Sequence, residues 1–320
     1  MKFTITGLDE ESGSIDSNGN VVGAKGGTEM MREGLFSRVN IPDNINIISS
    51  RVREVPKDKK NVLWLHDTWS DPEVQHIRDQ SSLDRFDKLV FVSDYQWQTY
   101  HLAHQIPYSK SVVLKNAIVP IEEHEKPNDG VINLIYHTTP HRGLELLVPV
   151  YEYLWDNGWK DKIHLDVYSS FNIYGWPQRD EQYRELFTKC KEHPGISYHG
   201  TVSNDEVREA LKKAHIFAYP NIWQETSCIA AMEAMSAGVC IICPNYAALP
   251  ETTAGFANTY QWHEDTNTHA YRFAQLLEAV LNEYWHDQHM QKLQFQKIYA
   301  NNFFNWDNRA REWSNFLATL

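Results

Sequence analysis

Beyond residue 130 the chain alternates between two spacings of apolar residues. Short, nearly continuous apolar runs such as "VINLIYH" (131–137) read as strands. Longer stretches with apolar positions three and four apart, such as "GLELLVPVYEYLWDNG" (143–158), read as helices. The series continues with strand "KIHLDVYSS" (162–170), helix "EQYRELFTKCKEHPG" (181–195), strand "ISYHG" (196–200) and helix "NDEVREALKKA" (204–214). Strand "HIFAYP" (215–220), a helix of small apolar residues over 228–238 and strand "VCIICP" (239–244) follow. Ser203 and Glu206 stand at capping-box spacing. Pro149, which lacks an N–H, predicts a kink or division in its helix.

The first half shows the same alternation less cleanly. Strand "KFTIT" (2–6) leads into a long Gly/Ser/Asp/Asn loop, helix "EMMREGLFSRV" (29–39) and strands "INIISS" (45–50) and "NVLWLHD" (61–67). Helix "LDRFDKL" (83–89), strand "VFVS" (90–93), a helix over "DYQWQTYHLAHQ" (94–105) and strand "SVVLKNA" (111–117) complete it. Regular strand–helix alternation implies parallel strands with helices on both faces. The polar stretch "EEHEKPNDG" (122–130) carries Pro and Asn-Asp-Gly turn signals and reads as a linker. The expected architecture is therefore α/β, with two Rossmann-like parallel-sheet domains over 1–125 and 126–300 facing across a cleft. The amphipathic, aromatic tail over 301–320 is expected to pack back on the body as a helix.

Charge narrows the function classes. The net is −4 up to residue 127 and −8 beyond it, of −12 in all, so neither half looks like a nucleic-acid binder. No apolar stretch reaches the length of a membrane span, which leaves only peripheral membrane contact. The start lacks a signal-peptide core, and four unevenly spread cysteines suit reduced thiols, so the expected location is cytoplasmic. The spacing in "CIIC" lies inside an apolar run and reads as a buried strand. No D-x-D triplet occurs, so a metal–diphosphate site gains no support.

Candidate chemistry gathers where strands end, which is where open parallel sheets hold ligands. Gly26-Gly27 leads into a helix and would let backbone approach an anion closely, though a plain turn reads equally well. His66 follows an apolar strand and is either a hydrogen-bonding partner for a substrate hydroxyl or a structural histidine. Arg142, before Gly143 and a helix, suits a phosphate or simply a surface. In "QETSCIAAMEAMSAG" (224–238), Thr226 or Ser227 can cap the helix and leave its N–H groups facing the cleft. Glu225 precedes that helix and Glu233 lies inside it. A carboxylate among small apolar residues needs a partner, either paired ligand hydroxyls such as those of a ribose or a neighbouring Arg or backbone group.

Glu225 and Glu233, with seven residues between them and followed by "AMSAG" and "LPE" (249–251), resemble the E-x7-E signature of family 4 retaining glycosyltransferases, which have the GT-B fold. "VSDYQWQTYHLAHQIPYSKSVVLKNAI", "HGTVSNDEV" and the Gly26-Gly27 loop resemble further segments of that family. The resemblance implies that Glu225 holds the donor sugar's hydroxyls and Glu233 the ribose. It implies that the backbone around Thr226, Ser227 and Cys228 meets the diphosphate together with Arg142, which stands where Lys is usual. Gly27 would contact phosphate or sugar, His66 a sugar hydroxyl, and the Thr201-Val202 loop the base. The family commonly has Arg where this chain has His137, so a neutral His137 would leave the diphosphate one cation short.

The expected function is retaining, metal-independent transfer of a hexose-type sugar from a nucleotide-diphosphate sugar to a glycan, lipid-linked or other hydroxyl acceptor, with no further cofactor. Its catalytic residues would be His66, Glu225 and Arg142. Alternatives are a DNA-base glucosyltransferase, which the acidic balance disfavours, a sugar-nucleotide epimerase of similar architecture, and a non-catalytic glycan-binding protein.

Overall fold

The computed structural model describes residues 21–320, so the expected strand "KFTIT" and most of the loop after it lie outside the described residues. In the first half, β1 (Ile45–Ser49), β2 (Lys60–Leu65), β3 (Lys88–Phe91) and β4 (Ser111–Val113) pair in that order, all parallel. The second half holds β5 (Ile132–Tyr136), β6 (Ile163–Val167), β7 (Ile196–Tyr198), β8 (Ile216–Ala218), β9 (Cys240–Pro244) and β10 (Asn258–Tyr260). Their spatial order is β10-β9-β8-β5-β6-β7, again all parallel. The two parallel sheets of an α/β protein are thus those the alternation predicts, with β10 added at the edge of the second, a strand the alternation does not predict. Every residue of β8 and β9 is buried, which explains their unbroken apolar runs.

The helices are α1 (Gly27–Phe36), α2 (Gln80–Leu83), α3 (Asp94–His104), α4 (Leu144–Leu154), α5 (Arg184–Glu192) and α6 (Asn204–Lys213). They continue with α7 (Ile229–Ser236), α8 (Leu249–Thr253), α9 (Thr266–Glu283), α10 (Asp287–Phe303) and α11 (Trp306–Leu317). The capping box at the start of α6 forms as its spacing predicts, with Ser203 and Glu206 bonding reciprocally. Two expectations are corrected. Residues 83–89 do not form a helix. The Asp79 carboxylate instead caps the short α2, and the Asp87 carboxylate accepts the Asn61 N–H at 2.8 Å where β3 begins. Pro149 does not divide α4, because it lies on the exposed face, where water can reach the carbonyl its missing N–H leaves free.

The chain crosses between halves twice. After the linker and the second sheet it returns where the Ile118 N–H donates to the Phe304 carbonyl at 2.7 Å. Helix α11 then lies in the first half's core, with Trp313 fully buried and 4.8 Å from Trp64, ring centre to ring centre. Trp306 packs so close to α1 that a Cβ on Gly34 would sit 2.0 Å from its Cζ2 atom. Gly34→Ala should therefore lower stability by about 1–3 kcal/mol through overpacking. Chemical denaturation tests this, and an unchanged midpoint would mean that Trp306 gives way freely.

Side chains also bridge the halves directly. The Glu251 carboxylate accepts the Asp94 and Tyr95 N–H groups, each at 2.9 Å, so it caps α3 from the opposite half, and it pairs with Lys115. Asn204, at the start of α6, donates to the Lys25 carbonyl and accepts the Lys25 N–H at 2.7 Å. That pair of bonds holds the segment before Gly26 against the second sheet's half.

Candidate active site

Loops at the carboxyl ends of β2, β5, β6 and β8 meet the start of α7. Arg142, on a single 3-10 turn after β5, ion-pairs through Nη1 with Oε1 of Glu225, on the loop after β8. Tyr219, also after β8, donates to the same carboxylate oxygen at 2.5 Å. Burial opposes the charge on Arg142, but Glu225 together with Tyr219, Tyr174 and Cys228 outweighs it, and the guanidinium stays protonated well above its ordinary range. Burial, then Glu225, pushes the Cys228 thiol upward, so it stays neutral.

Helix α7 starts without a side-chain cap. Its N-cap is Cys228, which corrects the expected Thr226 or Ser227. The Thr226 hydroxyl instead donates across to the His66 carbonyl at 2.7 Å, and the buried Ser227 offers its carbonyl to the Asn116 amide at 3.4 Å. Neither hydroxyl caps α7, whose first N–H groups are where a helix offers donors to an anion. Gly27 lies over this end, where a Cβ would meet Ile229 Cδ1 at 3.1 Å. Gly26 lies under Tyr174, whose Cε1 would be 2.6 Å from such a Cβ. A side chain at Gly26 would thus clash with Tyr174, and one at Gly27 would crowd the tip of Ile229.

His66 stands at the end of β2 with its Nε2 buried and, among the described residues, unpartnered, and burial drops its pKa to about 3. It is a neutral ring. His137, after β5, packs on Phe217 at 4.5 Å and is likewise held neutral by burial, at about 3. It therefore supplies no cation. After β7, Thr201 buries a hydroxyl that has no partner among the described residues, and Val202 next to it is half-buried.

Glu233 lies inside α7 and is 6% exposed. Its Oε1 accepts from Arg208 Nη1 of α6 at 3.1 Å, so the neighbouring-Arg alternative for this carboxylate is realised. Among the described residues its Oε2 accepts no hydrogen bond. Burial raises its pKa, and Arg208 only partly offsets this.

The family profile described as glycosyl transferases group 1 matches residues 121–295, more than half of the chain. The chain belongs to that family. A search of curated proteins finds no match to this group 1 glycosyltransferase. Among solved structures it is similar to a glycosyltransferase from Rickettsia africae, at 15% identity and TM-score 0.65, over 91% of this chain and 79% of that one. Anabaena HepE in complex with UDP-glucose aligns at 10% identity and TM-score 0.63, over 82% and 73% of the two chains. An S. aureus TarM variant in complex with UDP aligns at 13% identity and TM-score 0.57, over 82% of this chain but about half, 51%, of that one. These likenesses concern the fold, which is that of GT-B glycosyltransferases.

Sequence reasoning missed several residues of this candidate site. Tyr219 sits in "HIFAYP", where every residue reads as core, and Tyr174 follows β6 in a loop with no motif. Arg208 lies on a charged helix face like many others. The repeated polar–aromatic sequence "NIYGW" and "NIWQ" near Tyr174 and Glu225 was the available signal, and it is weak.

Proposed function

We propose that the chain is a family 4 enzyme of the E-x7-E type, which transfers a sugar from a nucleotide-diphosphate donor to a hydroxyl acceptor with retention of configuration. The observation that carries this is the convergence of Arg142, Glu225 and the uncapped start of α7 under the Gly26-Gly27 loop. A buried guanidinium and open helix amides suit a diphosphate, and a carboxylate beside them suits sugar hydroxyls. That HepE and TarM hold UDP-glucose and UDP in crystals agrees with such a donor.

In this reading the donor's diphosphate takes Arg142 and the α7 amides, and their preorganised charge stabilises the leaving group. Glu225 accepts hydroxyls of the transferred sugar, and His66 offers its free ring nitrogen to another. The uncommitted Oε2 of Glu233 faces the ribose, and Thr201-Val202 the base. The departing phosphate accepts the acceptor's proton as the new bond forms on the same face. The protein cations provide for the diphosphate charge, so the reaction is proposed not to need a metal. Four unpaired, buried cysteines accord with a cytoplasmic setting.

A thermal-shift panel of nucleotide diphosphates and their sugars tests the reading, since a ligand at 100 times its Kd adds about 2.7 kcal/mol of stability. One nucleotide should stand out. Its sugar ester should release nucleotide diphosphate in EDTA as fast as in Mg²⁺. No shift from any nucleotide would end the proposal, and complete loss in EDTA restored by Mg²⁺ would end its metal-free part.

A further inference from the structure

Oε1 of Glu225 receives two donors at once, Arg142 Nη1 and the Tyr219 hydroxyl. Tyr219 is fully buried and stacked on Phe217, with ring centres 4.8 Å and planes 14° apart. Tyr136 also packs on it, tilted, at 6.1 Å. A ring packed against two others presents its hydroxyl in one direction. Burial and then Glu225 push the phenol well above its ordinary range, so it stays protonated and donates. Among the described residues Oε2 of Glu225 accepts no hydrogen bond. The side chain is 6% exposed.

A diphosphate would compete with Glu225 for Arg142. If Arg142 were the sole anchor, donor binding would release the carboxylate that must hold the sugar. We propose that Tyr219 is the positioning residue of Glu225: it holds Oε1, so that Oε2 stays turned to the sugar when the diphosphate draws Arg142 away. The inference rests on the functional reading above.

Tyr219→Phe removes only the O–H and keeps the stacked ring. The measurements are calorimetric Kd values for UDP, GDP and ADP, and release of these nucleotides from UDP-glucose, GDP-mannose and ADP-glucose with water as acceptor. On the nucleotide the wild type binds, Tyr219→Phe should keep Kd within about twofold and slow release roughly tenfold. Because Tyr219 acts through Glu225, the double variant Tyr219→Phe/Glu225→Ala should be no slower than Glu225→Ala alone. Release at the wild-type rate, or a loss that adds in full to that of Glu225→Ala, would overturn the inference. A lowered melting temperature with unchanged rates would leave Tyr219 a packing role only and overturn it too. A wild type that binds no nucleotide of the thermal-shift panel is a different result, and it would remove the functional reading together with the inference.

Discussion

Glu225→Gln should bind a bare nucleotide diphosphate at least as tightly as the wild type, while releasing nucleotide from the sugar ester roughly ten to over a hundred times more slowly. The first half of this expectation follows from the ion pair. Arg142 and Glu225 are bonded in the free protein, with their side chains 21% and 6% exposed, so a diphosphate must win the guanidinium from a carboxylate. A neutral amide holds that guanidinium less strongly and gives it up more readily. The second half follows from what the carboxylate does for the sugar. Hydrogen bonds to a charged acceptor contribute roughly 1.5–3 kcal/mol, and each 1.4 kcal/mol made only with the reacting sugar is tenfold in rate. Calorimetry with the bare nucleotide and a release assay with its sugar ester separate the two. Equal losses in affinity and rate would place Glu225 at the nucleotide rather than the sugar.

What the sequence discloses here depends on the separation between partners. The period of the apolar runs sets both sheets, and the capping box at Ser203 and Glu206 spans three residues, so both are legible without the fold. Glu225, Glu233 and Arg142 stand out as polar residues where an apolar pattern or a strand end makes them costly. Their partners do not stand out. Thr226 reads as a helix cap, because a local bond is the only one a local pattern can suggest. Its hydroxyl instead reaches His66, 160 residues away. Glu251 reads as part of a motif with no task, yet its carboxylate caps α3 from the other half. His137 looks like a stand-in for a cation until Phe217 and its burial show a neutral ring. Each of these outcomes is decided by tertiary contact, which overrides local propensity.

Glu233 has two claims on it, and pH separates them. Its Oε1 serves Arg208, whose Nη2 also donates to the Pro120 carbonyl at 3.3 Å. Its Oε2 is proposed to face the ribose. Breaking the pair from either side strands a group 9% or 19% exposed, so Glu233→Gln and Arg208→Gln should each cost about 1–3 kcal/mol of stability. Burial raises this carboxyl above its unfolded value, so the folded state binds the proton more tightly. Its contribution to stability therefore falls as pH rises from the ordinary carboxylate range through the folded pKa, and Gln abolishes that fall. Ribose binding needs the ionised form, so wild-type nucleotide affinity should rise over the same window. Arg208 opposes the upward shift, and removing it should move the rise in affinity to higher pH while leaving the final affinity close to wild type. Glu233→Gln should instead stay near the weak low-pH affinity throughout, roughly 1–3 kcal/mol short of the wild-type plateau at higher pH, with no recovery. If Glu233 serves Arg208 alone, both variants lose melting temperature and neither loses nucleotide affinity at any pH. Calorimetric titration of the nucleotide across pH, with a melting curve at each point, decides which claim holds.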